Sequence, residues 1–545
     1  MSEVDGDAPD SQPNEATETK GSKKSKKPRE PWDRPLLRVA ASALCGVFMF
    51  MGSPDTNMWW LGFIAWVPWM WSFEGLNPKR AFLVGWVAGF VAVFVGHFWM
   101  TELLTRFAGL PDAISIPILA LFALFHGLLW GVPAALLTWL RRRTGRRSVW
   151  AAPMAWSATE LMLPNIFPTF MALMWCWQPL WIQTAELGGV STVSFTMLAM
   201  NSGIYEAIRA WKAADRPALK RAVAMAAGFI LGVPIYGAIR IAQVEALADE
   251  VPHLKIGAVQ GNFGIVTYTR GRMKRDILRE MQRVSGELQA QGADLVAWGE
   301  TAYPYQSFDR ESFEDLPQNN PRKVRRGFDI PIIFGAITND STGQNPYAWN
   351  TAFAMNGEGT ITGRYDKNYP LVFGEYVPIV DPEWFLDLIP TASHLNRGDG
   401  PGVLEVAGQP IGTMICFEDI LPHFARETAN AGASVFVNLT NDSWFGRSWE
   451  QGEHLGLAVY RSVEHRRGLV RVVNAGISAY VDPTGRVVQQ TGVTDSDVEG
   501  YKGAEGFVAD VPMTPPDYKT PFGWFGQGLL LICLGGLFQI SRRRD

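Results

Sequence analysis

Apolar stretches long enough to cross a lipid bilayer dominate the first half of this chain. A helix needs about 20 predominantly apolar residues to span the hydrocarbon core of a membrane. Seven such stretches follow one another and an eighth closes the chain, at 36–52, 58–73, 81–100, 115–140, 149–163, 189–208, 222–241 and 523–540. The pattern predicts a polytopic α-helical membrane domain, in which the second and fifth stretches are short for a span.

The placement of lysine and arginine predicts how these helices are oriented. Basic residues crowd the N-terminal tail and then every second connection, at Lys79–Arg80, Arg141–Arg147 and Arg209–Arg221, and again at Arg542–Arg544. The connections between them hold one basic residue, Arg106. Because cytoplasmic loops are enriched in lysine and arginine, we expect the N-terminus in the cytoplasm. Seven spans then place residues 242–521 on the opposite side of the membrane.

Four regions follow from this reading. Residues 1–34 are polar and lysine-rich, which predicts a disordered basic cytoplasmic tail. Residues 35–241 form the transmembrane domain, 242–521 an extracytoplasmic domain, and 522–545 a last transmembrane helix with a cytoplasmic tail. Inside the extracytoplasmic domain, short apolar strands alternate with polar helical stretches, which is typical of a layered α/β fold.

The composition argues against several classes of function. The net charge of −4 does not indicate a nucleic-acid binder. The four cysteines and seven histidines show no spacing typical of a zinc site or a disulfide framework. No glycine-rich phosphate loop follows a strand. We therefore expect no metal and no nucleotide cofactor.

Cys416 stands where a short buried strand, Ile411 to Ile415, ends and a helix could begin. The N-terminus of a helix favours a thiolate. A cysteine in an apolar run is, however, more often a small buried hydrophobic residue. Taken alone, this stretch favours the second interpretation.

Two further segments of the same domain change that balance. Glu300 ends the apolar run Leu295–Trp298, and Lys367 follows a turn after Gly363. Each charge taken alone would be read as a solvated surface group. Together with Cys416 they form an acyl-transfer set, in which the carboxylate takes the thiol proton, the ammonium stabilises an oxyanion and the thiolate attacks.

Five segments of this domain resemble the nitrilase superfamily: W-G-E-T-A at 298–302, Y-D-K at 365–367, F-G-E-Y-V-P at 373–378, I-C-F-E at 415–418 and N-D-S-W-F-G at 441–446. With the flanking spans, the chain resembles the membrane-bound branch of that superfamily, the apolipoprotein N-acyltransferases. The resemblance implies an αββα sandwich and assigns roles to residues at the matching positions. These are Glu300 as general base, Lys367 as oxyanion stabiliser, Cys416 as nucleophile, Glu375 and Glu418 as supporting acids, and Phe417, Trp444 and Tyr268 as substrate contacts.

The resemblance also implies a reaction and a location. A fatty acyl chain passes from a membrane phospholipid, through a cysteine thioester, to the N-terminal amine of a diacylglyceryl-cysteine lipoprotein. The protein would act as a monomer in the bacterial inner membrane, with the catalytic domain in the periplasm. The apolar segment 382–390 could dip into the membrane interface as a lid or could pack onto its own domain.

Three departures and two rival interpretations accompany the resemblance. Gly299 stands where the family usually has proline, Phe417 where an aromatic residue with a hydroxyl is common, and Pro370-Leu371-Val372 where the order is usually Leu-Val-Pro. One rival is a membrane-tethered amidohydrolase that uses water as acceptor. The other is a non-enzymatic envelope scaffold. His97 and His126 lie within predicted spans, where we expect each to make a satisfied interhelical contact.

Overall fold

A computed structural model describes residues 35–264, 271–340, 342, 347–389, 392–446, 448–492 and 503–542 of the protein. The predicted basic tail and Tyr268 lie outside these ranges. The described residues form seventeen α-helices and twelve strands. Eleven of the helices come first, and together they make up the helical part: α1 (Pro35–Met51), α2 (Trp66–Ser72), α3 (Pro78–Gly96), α4 (Trp99–Ala108), α5 (Asp112–His126), α6 (Leu128–Thr144), α7 (Ala151–Met162), α8 (Pro179–Ile182), α9 (Ala185–Gly188), α10 (Val190–Lys212) and α11 (Arg216–Glu250).

The remaining elements make up the sheet part and the C-terminal helices. The strands are β1 (His253–Gln260), β2 (Leu295–Trp298), β3 (Ile332–Thr338), β4 (Trp349–Met355), β5 (Ile361–Asp366), β6 (Gly402–Val406), β7 (Gln409–Ile415), β8 (Val435–Thr440), β9 (Leu469–Val473), β10 (Ala479–Val481), β11 (Val487–Gln490) and β12 (Glu505–Pro512). The helices are α12 (Gly271–Ala290), α13 (Pro382–Leu388), α14 (Pro422–Asn430), α15 (Glu450–His465), α16 (Pro521–Phe525) and α17 (Gly528–Arg542).

Three helical segments of the described chain are long and apolar enough to cross a membrane, judged by length and composition. They are Pro78–Gly96, Arg216–Glu250, and Asp112–Thr144, which joins α5 to α6. The shorter helices α1 and α17 are also apolar. The predicted fifth stretch, 149–163, is represented by the twelve residues of α7.

The predicted second stretch, 58–73, is not one continuous helix, and the prediction is wrong on this point. A 3₁₀ turn at Trp59–Phe63 precedes α2. The amide of Asn201 lies at the break: its Nδ2 donates to the carbonyl of Gly62 at 2.7 Å, and its Oδ1 accepts from the backbone N–H of Trp66 at 3.0 Å. Those two backbone groups would pair with each other in a regular helix, so an inserted side chain replaces the helical bond.

The basic ends of the helices meet at one end of the bundle. Arg38 at the start of α1 donates to the carbonyl of Glu74 after α2, at 2.7 Å. Arg141 near the end of α6 donates to the carboxylates of Glu74 and Glu206, at 3.1 and 3.3 Å. Arg143 donates to the carbonyl of Ser541 in α17. Basic residues from segments that are far apart in the sequence therefore come together at this end of the bundle.

Two six-stranded sheets stack in the sheet part. Their strand orders are β12-β1-β2-β3-β4-β5 and β11-β10-β9-β8-β7-β6. In each sheet three neighbouring strands are parallel, β1-β2-β3 in the first and β7-β8-β9 in the second. Helix α12 packs on the first sheet and helices α14 and α15 on the second, while β1 and β2 contact β9 between the layers. The prediction of a layered α/β fold is confirmed.

Helix α15 joins the sheet part to the helical part. All but one of its residues are buried. The hydroxyl of Tyr460 donates to the carbonyl of Ala172, and the Glu464 carboxylate accepts from the N–H of Val190 at 2.8 Å. Because buried polar groups need partners, these bonds hold α15, and with it the second sheet, against the helical part.

Candidate active site

Lys367 lies between two carboxylates at the ends of strands of the first sheet. Its Nζ is 2.9 Å from Oε1 of Glu300 and 2.6 Å from Oε2 of Glu375, and only 1% of the lysine side chain is exposed. Glu300 follows β2, and Lys367 is the first residue after β5. The Nδ2 of Asn350 in β4 donates to both carboxylates, at 2.7 Å to Glu300 and 3.0 Å to Glu375. The structure therefore brings the predicted base, lysine and supporting acid into one contact cluster.

Cys416 is the first residue after β7, and its backbone is in the left-handed region, with φ of 52°. Such a conformation costs on the order of 1–3 kcal/mol for a residue with a β-carbon, and persists where the surroundings hold it. Here the Nδ2 of Asn438 donates to the Cys416 carbonyl at 3.0 Å. The Glu418 carboxylate accepts from the N–H of Ile415 at 2.7 Å. Both bonds hold in place the turn that carries the thiol.

The thiol faces a cavity between the sheet part and the helical part. Most of the lining is apolar. From the sheet part it comprises Leu371, Cys416, Phe417, Ile420, Phe445, Glu450, Glu453, His454 and Leu457, and from the helical part His97, Trp99, Phe167, Pro168, Thr169 and Leu173. A second cavity shares His97, Thr169, Leu173 and Glu453 with it and continues between α1, α3, α6 and α7. An apolar space thus extends from Cys416 into the helical bundle.

The Cys416 thiol is protonated at neutral pH. Burial, together with the charge of Glu300, raises its pKa to about 12, although Lys367 and His454 act in the opposite direction. The sequence left open a helix N-terminus at Cys416 that would favour the thiolate, and the structure does not place one there. Residues Cys416–Ile420 form a 3₁₀ turn, and α14 begins only at Pro422. The thiol therefore needs a base when it reacts.

The same burial makes Glu300 the stronger base of the two carboxylates. Burial raises the pKa of Glu300, and the charges of Lys367 and Glu375 act on it in opposite directions, so the pKa stays above its ordinary value. For Glu375, burial is outweighed by Lys367 and by the N–H of Leu371, and the pKa is lowered. Burial alone would lower the pKa of Lys367, but the two carboxylates raise it well above the ordinary value. Lys367 is therefore an ammonium.

Glu418 ties the strand end that carries Cys416 to the segment that carries Lys367. Its carboxylate accepts from the Tyr365 hydroxyl at 2.6 Å and from the N–H groups of Asn368 and Tyr369 at 2.6 and 3.1 Å. Burial raises its pKa to about 7. Two of these hydrogen bonds come from the backbone that follows Lys367. Glu418 therefore fixes the position of the chain segment that carries the lysine.

Two family models match this chain. The N-terminal domain of apolipoprotein N-acyltransferase matches residues 45–203, and the carbon-nitrogen hydrolase model matches residues 255–498. The chain belongs to the apolipoprotein N-acyltransferase family. It is 28% identical to the apolipoprotein N-acyltransferase of Geobacter metallireducens, over 82% of this chain and 85% of the relative. The corresponding protein of Bdellovibrio bacteriovorus is 29% identical, over 77% and 79% of the two chains.

Solved structures also include similar proteins. An amidase of the nitrilase superfamily from Nesterenkonia aligns with 48% of this chain and 93% of its own, at 17% identity and a TM-score of 0.34. A third relative by sequence, the apolipoprotein N-acyltransferase of Pseudomonas syringae, is 25% identical over 85% of this chain and 89% of its own. Membership of the apolipoprotein N-acyltransferase family makes this protein an enzyme of the carbon-nitrogen hydrolase superfamily.

The predicted substrate contacts of this acyltransferase-family protein have different positions. Phe417 lines the cavity, and its ring lies 5.9 Å from that of Phe167 in the helical part. Trp444 packs edge-on against Phe107, at 5.1 Å, while its neighbour Phe445 lines the cavity. Trp444 does not line this cavity, because Asp442–Phe445 is a 3₁₀ turn in which adjacent side chains point in different directions. Its role as a substrate contact stays a prediction. The prediction for Tyr268 falls outside the described residues.

Other expectations outside the core of the site fare differently. All seven residues of α13, at 382–388, are exposed or half-buried, so this segment does not pack into the core of its domain.

The two histidines of the predicted spans both lie against Phe122. The ring of His97 is 5.4 Å from that of Phe122, and the ring of His126 is 4.2 Å from it. Within the described chain, neither ring nitrogen of His126 has a hydrogen-bond partner. The expectation of a satisfied polar contact is therefore wrong for His126.

Sequence reasoning missed two asparagines that hold the site. Asn350 bridges the carboxylates and Asn438 holds the Cys416 carbonyl. Both interrupt strands that are otherwise rich in apolar residues, at Trp349–Met355 and Val435–Thr440, and both are buried. A polar side chain in a buried strand needs a partner, and that requirement was the available signal.

The described residues include one group of potential metal donors, Asp442, Glu450 and His454, within 4.8 Å of one another. The Nη2 of Arg471 donates to both oxygens of the Asp442 carboxylate, at 3.3 and 2.9 Å. Because both oxygens of Asp442 already accept from this guanidinium, the carboxylate is not free to coordinate a metal ion. The group does not fit a metal ion.

Proposed function

We propose that this protein is an apolipoprotein N-acyltransferase. It moves a fatty acyl chain from a membrane phospholipid, through a thioester on Cys416, to the N-terminal amine of a diacylglyceryl-cysteine lipoprotein. The proposal rests on the position of the Lys367 ammonium, which lies between the carboxylates of Glu300 and Glu375. The charges of these three residues act on the thiol of Cys416, which lines an apolar cavity. Homologues that carry the name of this activity support the choice of substrates.

The first half of the reaction forms the acyl-enzyme. Glu300 takes the proton from Sγ of Cys416, and the thiolate attacks the carbonyl carbon of the phospholipid ester. The ammonium of Lys367 stabilises the oxyanion that develops. The carbon–oxygen ester bond then breaks, Glu300 returns the proton to the leaving oxygen, and a lysophospholipid departs. The acyl chain remains on sulfur as a thioester.

The second half transfers the chain to nitrogen. The amine of the lipoprotein attacks the thioester carbonyl, and Lys367 again stabilises the oxyanion. Glu300 removes a proton from the attacking nitrogen, the carbon–sulfur bond breaks, and the proton goes to the departing sulfur. The products are an amide and the resting thiol, so a single base serves both halves.

The apolar cavity favours a lipid donor over the hydrolytic alternative. A membrane-tethered amidohydrolase would use the same three residues with water as the acceptor. The cavity beside Cys416 is walled on one side by the helical part, including Trp99 and Phe167, and continues into the bundle. An acyl chain in this space would exclude water from the thioester.

We further propose that the bundle crosses the bacterial inner membrane eight times, with its basic end in the cytoplasm and the sheet part in the periplasm. The second pass would consist of the 3₁₀ turn and α2 together. Arg38, Arg141 and Arg143 gather at one end of the bundle. Helix α15 contacts the other end. This separation of charge is what the positive-inside rule requires.

Single-cysteine labelling tests this orientation. In a background in which Cys45, Cys176, Cys416 and Cys533 are all replaced by alanine, we expect the Gln318→Cys variant, exposed on the sheet part, to react with a membrane-impermeant maleimide in intact spheroplasts. The Lys212→Cys variant, exposed at the basic end, should react only after lysis. The reverse pattern would place the site in the cytoplasm and contradict the proposal.

Incubation of purified protein with labelled phospholipid tests the reaction itself. We expect intact mass spectrometry to show one acyl group on Cys416, which hydroxylamine removes and an added diacylglyceryl-cysteine peptide discharges as an amide. Rapid release of free fatty acid, without any need for the peptide, would identify a hydrolase. Absence of any adduct and of any turnover would favour a lipid-binding scaffold and contradict acyl transfer.

A further inference from the structure

A second charged cluster lies beside the thiol, and the proposed reaction does not use it. Its centre is His454 of α15, which lines the cavity together with Cys416. The Nε2 of His454 is 2.9 Å from Oδ1 of Asp419, and its Nδ1 is 3.4 Å from oxygens of both Asp442 and Glu450. All of these side chains are buried.

The carboxylates around His454 favour a proton on each ring nitrogen. A neutral imidazole carries one N–H and one lone pair. If Nε2–H donates to Asp419, a neutral ring would point the lone pair of Nδ1 at Oδ1 of Asp442, a carboxylate kept ionised by Arg471, which is repulsive. A second proton makes the contact with Asp442 attractive. The ring is therefore an imidazolium.

The surrounding charges agree with this assignment. Arg471 of β9 donates from Nη2 to Asp442 at 2.9 Å, and its Nε faces Asp419 at 3.4 Å. Burial and Arg471 lower the pKa of His454, but Asp419 and Asp442 outweigh them and raise it well above the ordinary value. Burial raises the pKa of Glu450 to about 7. With Glu450 protonated, two cations balance two carboxylates.

The cluster is linked to the nucleophile through the chain. Asp419 belongs to the same 3₁₀ turn as Cys416, three residues further on. Lys367 approaches the thiol from the end of the first sheet, whereas His454 approaches it from α15, which packs against that turn. The charges of Lys367 and His454, which lie on different elements, thus lower the pKa of the thiol, whereas burial and Glu300 raise it.

We propose that His454 is a positioning residue for the reaction: a fixed imidazolium on the cavity wall, held by Asp419 and Asp442, that stabilises the thiolate of Cys416. Its benefit to acyl transfer rests on the proposed function, but its effect on the thiol does not. Attack on an ester creates the thiolate beside this cation before the charge passes to the oxyanion near Lys367. Loss of the cation should therefore slow every reaction that begins with the thiolate.

The rate at which iodoacetamide alkylates Cys416, measured as a function of pH on the full-length protein in detergent, reports the fraction of thiolate without any lipid. We expect the His454→Gln variant to react about tenfold more slowly at a given pH, with the profile displaced by about one unit to higher pH. The His454→Lys variant, which retains a cation, should stay within about threefold of the wild type. His423→Gln, at an exposed histidine of α14, is the matched control and should be unchanged.

The Glu450→Gln variant provides an independent test that keeps His454 in place. Above pH 7 it lacks the negative charge that the wild type acquires, so Cys416 should react faster there and at an unchanged rate below pH 6. Wild-type profiles for both His454→Gln and Glu450→Gln would overturn the proposal. So would a loss in His454→Gln that His454→Lys does not restore, since the ring shape rather than its charge would then matter.

These outcomes separate the inference from the proposed function. If the alkylation profiles shift as expected but labelled phospholipid leaves no acyl group on Cys416, acyl transfer from phospholipid is wrong and the role of His454 stands. If the acyl group forms but the profiles do not move, the reaction stands and the role of His454 is wrong. Thermal unfolding of each variant shows whether the fold has been retained.

Discussion

Replacement of Cys416 by serine should reduce acyl transfer by at least about 10³-fold, because the loss of a nucleophile is among the largest effects of any single substitution in an enzyme. Burial already raises the pKa of the thiol to about 12. In the proposed reaction Glu300 deprotonates the thiol as the ester approaches. A serine hydroxyl at the same position is a much weaker acid, which Glu300 cannot ionise. Transfer of labelled acyl chains to a diacylglyceryl-cysteine peptide measures the effect.

Two controls give this result its meaning. Cys416→Ala should be equally inactive with an unchanged thermal unfolding midpoint, since one small side chain is lost at a cavity wall. Cys533→Ala, at a buried cysteine of α17 remote from the cavity, should keep most of the activity. Retention of a tenth or more of the wild-type rate by Cys416→Ser would rule out the sulfur as nucleophile.

Replacement of Lys367 by methionine should both abolish activity and destabilise the protein by about 3–5 kcal/mol, the range for breaking a buried ion pair by removing one partner. The substitution leaves the carboxylates of Glu300 and Glu375 buried, close together and without a cation, since both bind the same Nζ in the wild type. It also removes the charge that would stabilise the oxyanion. Thermal unfolding and acyl transfer measure the two effects separately.

The pH dependence of the Lys367→Met variant follows from the same geometry. Without the ammonium, burial raises the folded-state pKa of both carboxyls above the unfolded value, so the folded state binds more protons. Stability must then increase as the pH falls. We expect the variant to be more stable at pH 5 than at pH 8. In the wild type the lowered pKa of Glu375 acts in the opposite direction, as its stabilisation is lost on acidification.

Lys255→Met is the matched control for this prediction. Lys255 is an exposed residue of β1 in the same sheet, and its replacement should change the free energy of unfolding by less than about 0.5 kcal/mol. The additional change Glu300→Gln should recover part of the stability lost in Lys367→Met, because it removes one of the two unpaired charges. Equal destabilisation at positions 255 and 367, or independence of pH between 5 and 8, would contradict the buried ion cluster.

The sequence alone determined the features that depend on neighbouring residues along the chain. Apolar runs predict helices for α1, α3, α10 and α11, because the period and length of a helix are local properties. The motifs around Glu300 and Cys416 place each residue just after a strand, and the structure shows both of them there. Lys367, which the sequence placed after a turn, instead follows β5. Family resemblance supplied their chemical roles, which the variants above test.

Only the tertiary structure decided features that depend on residues distant in the chain. The break before α2 requires Asn201, which lies 135 residues after Trp66. The high pKa of the Cys416 thiol requires burial by both parts of the protein, and the effect of burial outweighs the charges of Lys367 and His454. The cluster around His454 likewise joins α15 to two turns and a strand. Hydrogen bonds and charges act through space, and the fold determines which of them meet.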